Sequence, residues 1–229
     1  MVLGSWKIKV VFLEDWRLLL YYITDRQQFP GDEAEQRRLL LAKIAEAARC
    51  GVDFIQLREK DLSVHDLEVL ACEAVQVVCA ARSGSRLLIN SRTDVAIASQ
   101  ADGVHLRSND ISPAEVREIY NTVQEKVTKP VIGVSCHDNR DVMRAASGGA
   151  SFAVFATVFE KESASANRPV GLGMLGQVCL QKIPVLALGG VTVENAAACI
   201  QTGAAGVAGI RLFQCNNLCE TVAKLRKIA

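Results

Sequence analysis

The chain has 229 residues, half of them hydrophobic, which suffices for one large core and is ordinary for a single α/β barrel. A formal net charge of +1 gives no bulk electrostatic basis for binding nucleic acid or a membrane surface, while local cationic sites stay open. The eight cysteines, at 50, 72, 79, 136, 179, 199, 215 and 219, lie in apolar segments without a CxxC pair or a secretory signal. That usage predicts reduced, mostly buried thiols in a cytoplasmic protein. Cys215 and Cys219 have helical spacing, but no histidine lies near them, which argues against a zinc site.

Residues 1–16 contain the apolar run Val10 to Leu13, too short to span a membrane, and read as an N-terminal extension ahead of one domain over 17–229. From Arg17 the pattern becomes regular. Leu18 to Ile23 is an apolar strand, and Asp32 to Cys50 carries apolar residues at helical spacing. Val52 to Leu57 reads as a strand buried on both faces, followed by a helix over Ser63 to Arg82 with Ser63 as its cap. Arg86 to Ile89 is a strand, Thr93 to Ser99 a short helix, and Gly103 to Leu106 a strand. Ser112, Pro113 and Glu115 have the spacing of a capped helix start with proline at its first position. Strand Pro130 to Val134 precedes helix Asp138 to Ser147, and strand Phe152 to Phe155 runs into a polar segment, Glu160 to Pro169. Helix Leu172 to Gln181, strand Pro184 to Leu188, helix Val193 to Thr202, strand Gly206 to Ile210 and a helix after Asn216 complete the series.

Eight strands, each followed by a helix across short connections, imply parallel strands closed into a (β/α)8 TIM barrel. An open doubly wound sheet is the rival, but no GxGxxG follows the first strand. A barrel places its chemistry on loops at the C-terminal ends of the strands. At the second of these, Gln56, Arg58 and Lys60 alternate, so an extended chain turns an amide and two cations to one side, suited to phosphate or diphosphate. The competing reading is a solvated strand exit in which Glu59 and Asp61 neutralise both cations. Gly189 and Gly190, ahead of a helix expected near Thr192, and the loop Gly209 to Arg211 occupy the usual phosphate site after strands seven and eight.

Taken together, YYITDR, IQLREKD, LLINSRTDVAIASQADGVHL, VIGVSCH, AVFATVF, VLALGGV and GAAGVAGI resemble, in order and over nearly the whole chain, thiamine phosphate synthase and its TenI-type relatives. The resemblance implies an enzyme that joins hydroxymethylpyrimidine diphosphate to thiazole phosphate with loss of diphosphate. It implies Gln56 near the pyrimidine, Arg58 and Lys60 on the diphosphate, and Asn90 and Ser135 as further polar contacts to it. Gly189, Gly190, the Ile210 backbone and Arg211 would hold the thiazole phosphate, and Asp110 would be one of two Mg2+ carboxylates. His137 matches a residue proposed to move protons.

Two positions depart from the family pattern. Ser91 stands where the second Mg2+ aspartate is expected, which weakens that site, and Asp94 is the nearest substitute. Ala164 stands where a diphosphate lysine is expected, with Lys161 three residues earlier as its replacement. Both losses resemble the TenI type, a thiazole phosphate tautomerase; retention of Gln56, Arg58 and Lys60 favours the synthase. A non-catalytic thiazole-phosphate binder and another phosphate-handling barrel are the remaining readings. The expected partners are small phosphate substrates, and assembly stays open between monomer and homo-oligomer. His105 reads as structural and His65 as a helix-surface residue.

Overall fold

The computed structural model describes residues 17–123, 129–160, 169–215 and 217–228. The N-terminal extension, Lys161 and Ala164 lie outside these. Among the described residues the strands are β1 (Leu19–Ile23), β2 (Phe54–Leu57), β3 (Arg86–Asn90), β4 (Gly103–Leu106), β5 (Val131–Cys136), β6 (Phe152–Ala156), β7 (Val185–Leu188) and β8 (Gly206–Gly209). They pair in sequence order, all parallel, and β1 pairs with β8, so the barrel is closed.

The helices are α1 (Glu33–Arg49), α2 (Val64–Ala81), α3 (Thr93–Ala98), α4 (Pro113–Val123), α5 (Asn139–Ser147), α6 (Gly171–Cys179), α7 (Ala196–Gln201), α8 (Arg211–Gln214) and α9 (Leu218–Arg226). Their starts are chemically marked. The carboxylates of Asp32 and Asp138, the Ser63 hydroxyl and the Asn217 amide oxygen each accept from a backbone N–H three residues on. At α4 the Ser112 hydroxyl accepts from the Glu115 N–H while the Glu115 carboxylate accepts from the Ser112 N–H, a reciprocal capping box. None of these described helices is long and apolar enough to cross a membrane.

Strand alternation divides the apolar residues between two places. Outward residues such as Leu20, Ile55, Ile89, Val104, Ile132 and Phe155 pack beneath the helices. Inward residues, Leu19, Tyr21, Leu88, Val131, Phe152 and Leu186, fill the barrel itself. Tyr21, Phe54 and Phe152 form an aromatic group there, with ring centroids 4.9 to 6.1 Å apart. It closes the barrel below its C-terminal end.

The opposite end is fastened. Arg226 of α9 donates to the Leu18 and Gly51 carbonyls and to the Asp53 carboxylate, which also accepts from the Leu20 N–H. Cys50, at the end of α1, is disulfide-bonded to Cys219 of α9, with Cα atoms 4.9 Å apart. This corrects the expectation that all the cysteines are reduced thiols, because ring closure sets the first and last helices side by side across 169 residues of sequence. Of the other six, only Cys136 and Cys199 are fully buried.

Two further differences concern the phosphate loops. The helix expected near Thr192 begins at Ala196, because Asn195 folds back to accept from the Thr192 N–H and donate to the Gly190 carbonyl. A short helix, α8, follows β8 directly and was not anticipated; with four residues it has no periodicity to read.

Candidate active site

A cavity of about 1590 Å3 opens at the C-terminal ends of the strands. Its floor is divided. Gln56, Asn90, His105 and Ser135, from four consecutive strands, form a polar arc; Ala156, Leu188, Ala208, Ile210 and Ile23 complete the ring as an apolar arc. They are inward positions at or just beyond the C-terminal ends of the strands, so the fold itself sorts them to this end of the barrel.

The polar arc is joined by hydrogen bonds. The Gln56 amide donates to the Tyr21 hydroxyl at 3.0 Å, which leaves the tyrosine hydrogen for Nδ1 of His105, also at 3.0 Å. Nε2 of His105 then carries the proton and donates to Oγ of Ser135 at 2.8 Å. His105 is 2% exposed and burial pushes its pKa down to about 3, with the nearby Arg58 charge adding to the effect. A neutral imidazole is therefore held between two hydroxyls. His105, read from the sequence as structural, is buried in this series and also faces the cavity. Gly133 makes room for it, since a Cβ there would meet Nδ1 of His105 at 2.8 Å.

Arg58 and Lys60 stand above Gln56 and line the same cavity. Their carboxylate neighbours turn the other way. Glu59 is 5% exposed; it accepts from the Thr24 hydroxyl at 2.6 Å and the Arg26 N–H at 3.0 Å, with the Arg26 guanidinium 3.5 Å away. Both carboxylate oxygens of Asp61 accept from that guanidinium. Hydrogen bonding from Arg26 holds the Asp61 carboxyl down to about 2 although burial opposes it; burial raises that of Glu59. The solvated-exit alternative fails here: both acids, though on the β2 loop, are bound to Thr24 and Arg26 of the β1 loop. Lys60 is depressed in pKa, by Arg58 first, then burial, then Arg107, with the Asp25 carboxylate opposing them.

Gly189, Gly190, Ile210 and Arg211 line the cavity's other side. The glycines have φ of +97° and +62°, and a Cβ on Gly190 would lie 2.5 Å from the Glu160 carbonyl oxygen. The β6 and β7 loops are joined by the Val158 and Phe159 N–H groups donating to Leu188 and Gly189. His137 is exposed at the rim with Nδ1 3.2 Å from the Ala156 carbonyl. It does not cap α5, which Asp138 does.

The residues expected to hold magnesium do not fit a two-carboxylate site. Asp110 accepts from the Arg107 N–H and guanidinium at 2.8 to 3.1 Å and borders a small side pocket rather than the main cavity. Burial raises its carboxyl, but the Arg107 bonds and a contact from Ser91 outweigh this and leave it below the ordinary value. The Ser91 hydroxyl oxygen is sealed from solvent and makes no well-formed hydrogen bond. Asp94 is paired with Arg92. Among the described residues no three acidic, histidine or cysteine groups gather around one point. Of the residues that shape the site, Tyr21, Arg26 and Arg107 had no role assigned from sequence; the alternation that brings Tyr21 inward was legible.

The family model described as thiamine monophosphate synthase matches residues 20–213. A Geobacter sulfurreducens protein provisionally named thiamine-phosphate synthase is 40% identical over 191 residues, 82% of this chain and 83% of its own. The thiamine-phosphate synthase of Roseiflexus castenholzii is 35% identical over 85% of this chain and 80% of its own. The structure of thiamine phosphate pyrophosphorylase from Pyrococcus furiosus superposes with a TM-score of 0.74 at 28% identity, over 92% of this chain and 95% of that one. Motif order, barrel and matched extent agree, and the chain belongs to the thiamine monophosphate synthase family.

Proposed function

We propose that the protein is a thiamine phosphate synthase, joining hydroxymethylpyrimidine diphosphate to thiazole phosphate with release of diphosphate. The observation that carries this is the pair Arg58 and Lys60, presented to a cavity with Glu59 and Asp61 withdrawn onto Arg26. A tautomerase has no diphosphate to release and no use for that arrangement.

In the reaction the methylene C–O bond breaks and its electron pair leaves with diphosphate. The thiazole nitrogen lone pair then forms the new C–N bond. Arg58 and Lys60 neutralise the charge that builds on the departing oxygens, which is where transition-state stabilisation is needed. One Gln56 N–H donates to Tyr21, and the amide oxygen is left to accept from the pyrimidine amine. Ser135 receives a hydrogen bond from His105 and directs its own hydrogen to a diphosphate oxygen, with Asn90 beside it. The apolar arc receives the rings. The thiazole phosphate rests on Gly189, Gly190, the Ile210 backbone and Arg211, where loops seven and eight meet the short helix α8. The joining step balances without a net proton transfer; His137, which lines the cavity at its rim, is proposed as a further polar group acting on the substrates. Lys161 is proposed as a diphosphate contact from the β6 loop. Magnesium is the cofactor that the resemblance implies, and Asp110 and Ser91, the residues expected to hold it, do not form a two-carboxylate site.

The test is an assay of the full chain with both precursors. Formation of thiamine phosphate, lowered in kcat/KM about a hundredfold by Arg58→Gln, is the expected result. Isomerised thiazole phosphate with no thiamine phosphate would replace this reading with the tautomerase.

A further inference from the structure

The mismatch at the expected magnesium site has a structural counterpart. Arg107, on the loop after β4, lines the same cavity as Arg58 and Lys60, on the loop after β2. Its guanidinium engages Oδ1 of Asp110 through Nε at 3.1 Å and Nη2 at 2.9 Å, and its backbone N–H engages Oδ2 at 2.8 Å. One oxygen of the carboxylate expected to hold magnesium is thereby occupied by the guanidinium and the other by the Arg107 backbone N–H. The second position, Ser91, contributes no charge. A guanidinium has five N–H donors and is suited to bidentate recognition of phosphate, so two bonds to Asp110 do not exhaust it.

The charges on this side of the cavity are accordingly uneven. Glu59 and Asp61 are committed to Arg26, Asp94 to Arg92 and Asp110 to Arg107. Arg107 is 63% exposed along its side chain, as a group reaching over a cavity mouth would be. Its charge is felt at Lys60, where it adds to that of Arg58.

We propose that Arg107, held by Asp110, completes a three-cation diphosphate site with Arg58 and Lys60, which binds diphosphate without a divalent metal ion. This rests on the synthase reading, from which the diphosphate comes. Loss of a carboxylate at Ser91 and a guanidinium on Asp110 are then one adaptation: the positive charge that a metal ion would bring is supplied by a side chain.

The test is calorimetric titration of the full chain with inorganic diphosphate, in EDTA and in Mg2+. Wild-type protein is expected to bind in EDTA with a Kd within a factor of about three of its value in Mg2+. Arg107→Gln is expected to weaken binding in EDTA about tenfold or more, the worth of a charge-assisted hydrogen bond, and to regain affinity with Mg2+ as Asp110 is released. Ser91→Asp, which leaves Arg107 in place, is expected to create metal dependence. Wild-type binding that requires Mg2+, or Arg107→Gln binding unchanged in EDTA, would overturn the proposal. Metal-free binding without thiamine phosphate formation supports the site and removes the synthase reading; thiamine phosphate formation with no metal-free binding does the reverse.

Discussion

Arg26 holds both carboxylate oxygens of Asp61, through Nη1 at 2.6 Å and Nη2 at 2.7 Å, across 35 residues of sequence. This pair, with Glu59 beneath it, decides the electrostatics of the site. Arg26 is buried and its pKa is raised above the ordinary value, chiefly by the Asp61 hydrogen bonds. Removing the guanidinium strands Glu59 in a buried position and returns Asp61 to Arg58 and Lys60.

Arg26→Gln is therefore expected to lower stability by roughly 3 kcal/mol, the scale for breaking a buried pair, and to weaken diphosphate binding as well. Denaturant unfolding and calorimetry read the two effects. Unchanged diphosphate affinity in a folded variant would show that Asp61 does not compete for the cations.

The same pair sets a pH dependence. The folded Asp61 pKa of about 2 lies below its ordinary value of 3.8, so its contribution is full above that ordinary value and is lost as pH falls towards 2. His105, depressed from 6.5 to about 3, acts in the same direction: its neutral form favours folding fully above 6.5, and that advantage fades as pH falls towards 3. The Tm difference between wild type and Asp61→Asn is expected to narrow between pH 4 and pH 2. A constant difference across that range would mean that Asp61 is not tied to Arg26.

Tyr21→Phe removes the hydroxyl shared by Gln56 and His105 and leaves two buried polar groups without a partner. A loss of about 1–3 kcal/mol is expected. With the Gln56 amide and the Ser135 hydroxyl no longer oriented, KM for the pyrimidine substrate is expected to rise more than kcat falls. Steady-state kinetics beside a thermal melt separates this from simple destabilisation, which would leave the KM of the folded fraction unchanged.

Gly190→Ala places a methyl group against the Glu160 carbonyl in a left-handed conformation. The conformation alone costs about 1–2 kcal/mol, and movement of the β7 loop is expected to weaken thiazole phosphate binding. Wild-type affinity in this variant would show that the Gly190 backbone does not approach the phosphate.

The clamp between α1 and α9 is checked by counting thiols. Denatured, unreduced protein is expected to titrate with six free thiols, those outside the Cys50 to Cys219 pair. Reduction is expected to lower stability by roughly 2–4 kcal/mol. Eight reactive thiols would show that the two cysteines are not bonded.

What the sequence determined alone was local and periodic. Apolar strand segments alternating with helical ones across short connections specify parallel strands, because each helix must cross over the sheet before the next strand begins, and eight such units close into a barrel. Side-chain alternation along an extended chain assigns Gln56, Arg58 and Lys60 to one side and Glu59 to the other. It cannot name the partner on that other side. Arg26 lies 33 residues from Glu59, and its selection depends on β1 and β2 being neighbours at matching height. The division of the cavity floor into polar and apolar arcs, the Tyr21–His105–Ser135 series, the hold of Arg107 on Asp110 and the Cys50 to Cys219 bond are of the same kind. Each joins residues brought together only when the barrel closes, so tertiary structure alone decided them: a side chain's charge and hydrogen-bonding state follow from what packs against it in space.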